Sequence, residues 1–210
     1  MVETARLESV YTGNRIGGSN PSLSAMYYRR PFAAIRISEL GAEAVIVITG
    51  SMGSGKTAVL DEASDLLALR GIAHAAVDLD GLGIAHFPAD VRDENVIYRN
   101  LRCVWENFAA LGVKRLLVAR AIEHRDELER IRAAVSAKNL TICRLNASLK
   151  TMWERVGRRD SGTLRERYVA RVAELNALLD RAHVEDFSVA NENRSIADVA
   201  QEMLIRSGWL

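Results

Sequence analysis

The stretch Gly50-Ser51-Met52-Gly53-Ser54-Gly55-Lys56-Thr57 decides the fold of this chain of 210 residues. It follows the pattern G-x-x-x-x-G-K-[ST] of phosphate-binding loops and stands directly after the apolar run at residues 44–49. Its glycines allow successive backbone N–H groups to turn inward around an anion. Helical spacing begins at Thr57 and continues to Gly71, so we expect a strand, a loop and a helix in that order. A nucleoside triphosphate is the first ligand that this arrangement predicts.

The residue types of the loop predict a role for each side chain. Lys56 is expected to reach the β- and γ-phosphates, and the hydroxyl group of Thr57 is expected to bind Mg²⁺. The positive end of the following helix faces the same phosphates. The chain lacks the Asn-Lys-x-Asp motif of guanine recognition, which favours ATP over GTP. The nucleotide-binding residues predicted from the loop are Gly50, Ser51, Met52, Gly53, Ser54, Gly55, Lys56, Thr57 and Ala58.

Composition limits the class of protein. A hydrophobic content of 49% and a formal net charge of +1 are typical of a soluble protein with one packed core. No run of eighteen apolar residues and no secretory signal pattern occurs, which favours a cytoplasmic location and no membrane contact. The 28 basic and 27 acidic residues are interleaved, so nucleic-acid binding is not expected. Cys103 and Cys143 match no metal or redox spacing, and we expect two buried, reduced thiols.

Strand and helix patterns alternate after the loop. Strand patterns occur at residues 44–49, 73–80, 115–119, 140–145 and 187–190. Helix patterns occur at residues 57–70, 93–111, 125–137, 148–159, 163–182 and 195–206. The expected buried stripe of the second helix consists of Val96, Leu101, Val104, Trp105 and Phe108. This alternation predicts an α/β fold with a parallel sheet covered by helices on both sides.

An acidic pair, Asp78 and Asp80, ends the second predicted strand. In open parallel sheets, ligands bind beyond the carboxyl ends of the strands. Alternation along an extended chain would place both carboxylates on one side, where one holds a magnesium-bound water and the other accepts a proton from a substrate hydroxyl group. The alternative is that either aspartate only caps the following turn.

The loop together with Asp78-Leu79-Asp80 resembles the small-molecule kinases of the P-loop class, including shikimate, gluconate and adenylylsulfate kinases. The likeness spans roughly residues 44–208. It implies a three-layer α/β/α P-loop NTPase fold with a five-stranded parallel sheet in the order 2-3-1-4-5. It also implies ATP and Mg²⁺ as cofactors, with the acidic pair serving the magnesium ion and the acceptor hydroxyl group.

The resemblance implies two further groups of site residues. Arg155, Arg158 and Arg159 precede Asp160-Ser161-Gly162, where the resembling kinases have a mobile lid that brings arginines over the phosphates. A well-placed arginine contributes about 10³ to 10⁵ in rate to phosphoryl transfer. The alternative is a basic helix end that interacts with its own dipole. The loop that begins at Asn191 is where these kinases place backbone around adenine.

Two domains are expected. Residues 1–40 are predicted to be a poorly ordered extension, because they lack a sustained hydrophobic period and are rich in turn-forming residues. Residues 41–210 are predicted to be the P-loop kinase-like domain.

The stretch Gly18-Ser19-Asn20-Pro21 is also what the T-arm stretch of a transfer RNA gene encodes. This suggests that Met26 is the native start; a natural flexible tail is the alternative.

These patterns predict an ATP-dependent kinase that phosphorylates a hydroxyl group of a small metabolite. Its catalytic residues would be Lys56, Asp80, Arg155, Arg158 and Arg159, with Thr57 and Asp78 at the metal. The third strand ends Val118-Ala119-Arg120-Ala121 without an acid, so the signature of motor ATPases is missing. Arg120 is either a ligand for an anionic acceptor or a surface arginine. The alternative function is a slow regulatory ATPase that acts as a nucleotide-dependent switch for a protein partner.

Overall fold

A computed structural model describes residues 40–88, 90, 93, 95–159 and 165–210 of the chain, with the backbone alone for residues 159 and 165. Residues 1–39 of the predicted extension, including Met26, lie outside the described residues. The same holds for Asp160-Ser161-Gly162, the segment in which the lid is expected.

The described strands form one parallel sheet at the centre of the fold. They are β1 (Ala44–Thr49), β2 (Ala75–Asp78), β3 (Arg115–Ala119), β4 (Asn139–Asn146) and β5 (Phe187–Ala190). Their spatial order is β2-β3-β1-β4-β5, which confirms the order 2-3-1-4-5 that the resemblance implied. In the middle of the sheet, Ile46 of β1 lies level with Leu117 of β3 and Thr141 of β4.

Helices follow the strands and cover both faces of the sheet. They are α1 (Lys56–Leu69), α2 (Val96–Ala110), α3 (Arg125–Val135), α4 (Leu149–Arg159), α5 (Arg165–Ala182) and α6 (Ile196–Arg206). A short 3₁₀ helix, Leu79–Gly83, follows β2 directly. The predicted helices are confirmed to within three residues at each end. None of these described helices combines the length and the apolar character needed to cross a membrane.

The two faces of β1 pack into separate hydrophobic cores. Val45 and Val47 belong to one core, and Ile46 and Ile48 belong to the other. Helix residues in the first core include Leu101, Trp105 and Ile131, and those in the second include Val59, Leu67 and Met203. Because side chains alternate along a strand and both faces are covered, β1 has the continuous apolar sequence of a central parallel strand. The three-layer α/β/α architecture is therefore confirmed.

The two cysteines differ in burial. Cys143 is buried in β4, as expected, and this burial raises the pKa of its thiol to about 12. Cys103 is exposed, so the expectation that it is buried is wrong. It lies two positions after the fully buried Leu101 on α2, and helical geometry turns such a residue to the opposite side.

Replacement of Leu101 tests the core between α2 and the sheet. Leu101 is fully buried, so Leu101→Ala should lower the free energy of unfolding by about 2 to 5 kcal/mol through lost burial and a residual cavity. Urea denaturation followed by circular dichroism measures this loss. The control is Leu69→Ala, because the Leu69 side chain is 83% exposed, and it should change stability by no more than about 0.5 kcal/mol. Equal losses in the two variants would contradict this packing.

Candidate functional site

A cavity of about 820 Å³ opens where the phosphate loop, the end of β2 and the helices α4 and α5 meet. The loop and the N-terminus of α1 supply one wall, and the aspartates after β2 supply another. The residues that line it are Met52, Gly53, Gly55, Lys56, Thr57, Ala58, Asp78, Asp80, Gly81, Ile84, Arg155, Val156 and Tyr168. The structure therefore brings most of the predicted loop residues and both predicted aspartates to one cavity.

The loop backbone has a conformation that requires glycine, as Gly53 and Gly55 illustrate. Gly53 and Gly55 have φ angles of 77° and 95°, in the left-handed region. A Cβ atom at Gly53 would lie 2.4 Å from the carbonyl oxygen of Met152 on α4. A Cβ atom at Gly55 would lie 2.3 Å from Nδ2 of Asn191. The loop is therefore packed tightly against α4 and the end of β5, and its shape fits the backbone cup that binds phosphate.

Two buried side chains tie the loop to distant parts of the chain. The hydroxyl group of Ser51 donates a hydrogen bond of 2.9 Å to the carbonyl oxygen of Val172 on α5. The side chain of Asn191 donates a hydrogen bond of 2.7 Å from Nδ2 to the carbonyl oxygen of Ser54. Asn191 is fully buried and its carboxamide faces the loop, so in this structure it supports the phosphate loop. The resemblance had implied a place beside adenine for its backbone.

Arg155 is the predicted lid arginine that the structure brings to the cavity. Its Nη1 donates to the carbonyl oxygen of Gly53 at 3.3 Å, and its Nη2 donates to that of Asn191 at 2.9 Å. The guanidinium group therefore joins the loop to the end of β5. Arg158 instead has a side chain that is 83% exposed and lies 3.8 Å from Glu154 on the same helix. The side chain of Arg159 lies outside the described residues.

The ammonium group of Lys56 lies over its own loop. Its Nζ donates hydrogen bonds of 3.0 Å to the carbonyl oxygen of Gly50 and 3.2 Å to that of Ser51. Lys56 also lines the cavity, so its positive charge is held beside the backbone cup. The charge and the cup together fit a polyphosphate group.

Thr57 and Asp78 meet at the position predicted for a metal ion. The Thr57 hydroxyl group donates a 2.7 Å hydrogen bond from Oγ1 to Oδ2 of Asp78. A hydroxyl group and a carboxylate are the hard oxygen ligands that Mg²⁺ prefers alongside phosphate oxygens and water. The residues present therefore fit a phosphate-bound magnesium ion.

The second aspartate reaches the cavity by a different route from the one expected. β2 ends at Asp78, and Asp80 lies in the 3₁₀ helix, so strand alternation does not place both side chains. Oδ1 of Asp78 accepts a hydrogen bond of 3.2 Å from the backbone N–H of Asp80 and caps this helix. Asp78 thus combines the capping role with the contact to Thr57, and the tight turn brings both aspartates to the cavity.

Asp80 takes part in an ion-pair network at the end of β3. Its Oδ1 lies 2.5 Å from Nη1 of Arg120. Nε of the same arginine lies 3.4 Å from Oε2 of Glu127. Glu127 is buried and accepts a hydrogen bond of 3.1 Å from the hydroxyl group of Tyr98 on α2. Its other oxygen accepts from the backbone N–H groups of residues 123 and 124, which caps α3. Arg120 is therefore held between an aspartate at the cavity and a glutamate in the interior.

The hydroxyl group of Tyr98 is held neutral in this network. Burial, and secondly the negative charge of Glu127, raise the pKa of Tyr98 to about 12. At neutral pH this hydroxyl group keeps its proton and donates it in a hydrogen bond to the carboxylate.

Sequence reasoning missed several residues of this region. Tyr168 and Val156 line the cavity, yet their spacing within helix patterns gives no sign of it. Glu127 stands three residues after His124, a spacing typical of a helix N-terminal capping box, and this was the available signal. That signal predicts the cap but not the contact with Arg120.

No protein-family model matches the chain, and no curated protein matches its sequence. Solved structures do share its fold. A gluconokinase from Sinorhizobium meliloti 1021 is 18% identical over 81% of this chain and 93% of its own, with a TM-score of 0.52. The Mycobacterium tuberculosis APS kinase in complex with AMPPNP and APS is 24% identical over 80% and 98%, with a TM-score of 0.51. The Deinococcus radiodurans tunicamycin resistance protein is 17% identical over 80% and 97%, with a TM-score of 0.56. The chain therefore has the fold of the P-loop small-molecule kinases.

The start of α4 provides a pH-dependent test of the support around the loop. Glu192 accepts hydrogen bonds from the hydroxyl groups of Ser148, at 2.6 Å, and Thr151. The bond from the Ser148 hydroxyl group, and secondly that from Thr151, lower the pKa of Glu192 below its usual 4.5. Its stabilising contribution is therefore complete above about pH 4.5 and is lost as the pH falls through the lowered pKa.

The stability difference between the wild type and Glu192→Gln should accordingly shrink between about pH 7 and about pH 3, as measured by urea denaturation. Ser148→Ala, which removes the partner hydroxyl group, should show the same trend. A difference that stays constant over this range would contradict the assigned contacts.

Proposed function

We propose that the chain is an ATP-dependent phosphotransferase that moves the γ-phosphoryl group of ATP to a hydroxyl group of a small metabolite in the cytoplasm. The observation that carries this proposal is the meeting of the phosphate loop, the pair Thr57 and Asp78, and Asp80 at one cavity. The fold shared with P-loop kinases supports it. A large cavity beside the loop leaves room for an acceptor as well as for the triphosphate.

The phosphate side of the reaction would be handled by the loop. Backbone N–H groups of the loop and the ammonium group of Lys56 would bind the β- and γ-phosphates, and the N-terminus of α1 would add its dipole. Thr57 and Asp78 would hold Mg²⁺, which neutralises phosphate charge when it is bound. The role of these residues is mainly to position the triphosphate, because phosphoryl transfer gains most from position and charge.

The acceptor side would be handled by Asp80. Its side chain is 54% exposed and lines the cavity, so it can meet a hydroxyl group of a bound metabolite. As the hydroxyl oxygen bonds to the γ-phosphorus atom, the bond from that phosphorus to the β,γ-bridging oxygen breaks. The hydroxyl proton passes to Asp80, and ADP leaves with the electron pair of the broken bond.

The arginines would neutralise the charge that develops on the transferred group. Arg155 is at the cavity and already donates to the loop backbone, which suits it to this role. The parts assigned to Arg158 and Arg159 stay predictions from the resemblance.

A slow regulatory ATPase that signals to a protein partner is the second candidate. The ion pair between Asp80 and Arg120 favours it, because a paired carboxylate is withheld from an acceptor. ADP formation from ATP and Mg²⁺ separates the two candidates. Stimulation by a pool of small metabolites supports the kinase, and stimulation by a macromolecular fraction alone supports the switch.

Replacement of Lys56 tests the nucleotide site. Lys56→Ala removes the cation beside the backbone cup, so ATP turnover should fall by about 10² to 10³. ADP release measures turnover, and titration calorimetry measures ATP binding. The control is Lys138→Ala, an exposed lysine just before β4, which should behave as the wild type. A wild type that gives no binding heat with ATP and Mg²⁺ would refute the proposed site.

Replacement of Asp80 tests the base. Asp80→Asn keeps the shape of the side chain but cannot accept the proton, so transfer to the metabolite pool should fall by about 10² to 10⁴. ATP affinity, measured by calorimetry, should change less than about twofold, because Asp80 lies beyond the loop. Asp65→Asn, at an exposed position of α1, is the control. Normal transfer by Asp80→Asn would show that another group takes the proton.

A further inference from the structure

The proposed base is engaged by a cation in this structure. Oδ1 of Asp80 accepts a hydrogen bond of 2.5 Å from Nη1 of Arg120. While this hydrogen bond lasts, the carboxylate is turned to Arg120, and it can turn fully to another group only when the bond is given up. The contact therefore competes directly with the proton transfer that the proposed function assigns to Asp80.

Arg120 is the fixed member of this pair. Its side chain is only 29% exposed, and its Nε and Nη2 both face Oε2 of Glu127 at 3.4 Å. Glu127 is 8% exposed and is itself held by Tyr98 and by two backbone N–H groups. A buried carboxylate that loses its cation is strongly destabilised, so Arg120 stays with Glu127.

Asp80 is the member that can move. Its backbone is set by the cap from Asp78, but its side chain is more than half exposed and lies at the cavity. Ion pairs that are open to solvent are weak, so rotation of this side chain away from Arg120 changes the balance of the two arrangements by no more than about fivefold. The geometry thus defines a closed arrangement, with Asp80 on Arg120, and an open one, with Asp80 turned to the acceptor.

We propose that the Arg120–Asp80 ion pair is a latch that withholds the base until an anionic group of the acceptor takes the place of Asp80 on Arg120. This inference rests on the proposed function. A carboxylate or another oxyanion is the natural replacement, because it restores both the charge and the hydrogen bonds of the guanidinium group. A neutral hydroxyl group restores only a hydrogen bond. The latch thus selects acceptors that carry a negative group near the reacting hydroxyl group. It also limits the hydrolysis of ATP by water.

In the closed state, the carboxylate that would accept a proton from water is turned to Arg120. In the open state, Asp80 accepts a proton from the hydroxyl group or from water as its oxygen bonds to the γ-phosphorus atom. The bond from phosphorus to the β,γ-bridging oxygen then breaks and ADP leaves. The latch changes only the availability of the proton acceptor, and the atoms exchanged are those of the proposed transfer.

Hydrolysis of ATP by water tests the latch without knowledge of the acceptor. Arg120→Gln removes the cation that holds Asp80, so ADP release in buffer with ATP and Mg²⁺ should rise by about two- to fivefold, the range that a weak ion pair allows. Adding Asp80→Asn to this variant should abolish the gain, because the gain depends on the freed carboxylate. The control is Arg102→Gln, since Arg102 forms an exposed ion pair with Glu106 on α2 and should leave hydrolysis unchanged.

A second variant protects the test against loss of folding. Arg120→Gln leaves Glu127 without its cation, so the pair Arg120→Gln with Glu127→Gln removes both charges together.

Inorganic sulfate serves as the probe for an anionic acceptor group. It should accelerate hydrolysis by the wild type, relative to chloride at equal ionic strength, and should have no effect on Arg120→Gln.

The outcomes separate the latch from the proposed function. Unchanged or slower hydrolysis in both variants would overturn the latch, and Arg120 would then be a residue that positions Asp80. Equal effects of sulfate and chloride on the wild type would overturn the anionic class of acceptor. Calorimetry with ATP and Mg²⁺ reports on the nucleotide site independently, so normal binding with unchanged hydrolysis refutes the latch alone.

Discussion

The left-handed backbone of the phosphate loop, packed against the rest of the domain, is the constraint on which the site depends. Met152 and Asn191 leave no room for a side chain at Gly53 or Gly55. The hydrogen bond from Asn191 to the loop spans 137 positions of sequence, and the one from Ser51 spans 121. The glycines of the short motif therefore permit the phosphate-binding conformation, and tertiary contacts with α4, α5 and the end of β5 hold the loop in it.

The fold was largely readable from the sequence because its signals are local and repeated. β1 is apolar on both faces, which only a covered central strand tolerates, and the loop after it fixes its direction. The buried face of α2 was harder to place. The expected stripe omitted Tyr98, which is among the buried residues of the helix, and it included Val96 and Phe108, which are only partly buried. A tyrosine is buried readily once its hydroxyl group has a partner, and Glu127, 29 positions further on, cannot be identified as that partner from periodicity.

The candidate site was predictable in its phosphate half and much less so in its acceptor half. Thr57 and Asp78 lie in hydrogen-bond contact, because one stands in the first turn of α1 and the other ends β2. Asp80 lines the cavity, but a 3₁₀ turn and not the expected extended strand carries it there. Its pairing with Arg120 could not be read from the sequence, which left that arginine as either a ligand or a surface residue. Ion-pair partners are chosen in three dimensions, among residues that sequence spacing does not relate.

Asp78 links the two halves through its two carboxylate oxygens. Oδ2 accepts from the hydroxyl group of Thr57, and Oδ1 accepts from the backbone N–H of Asp80. A rotation of this carboxylate at the metal position would therefore disturb the cap of the 3₁₀ helix that carries the proposed base. Thr57 and Asp80 are far apart in sequence, and the side chain of Asp78 connects them through two hydrogen bonds. Hydrogen bonds are directional, so both partners depend on the orientation of this carboxylate. A single residue thus contacts both Thr57 and Asp80, so the geometry of the proposed metal position and that of the proposed base cannot vary independently.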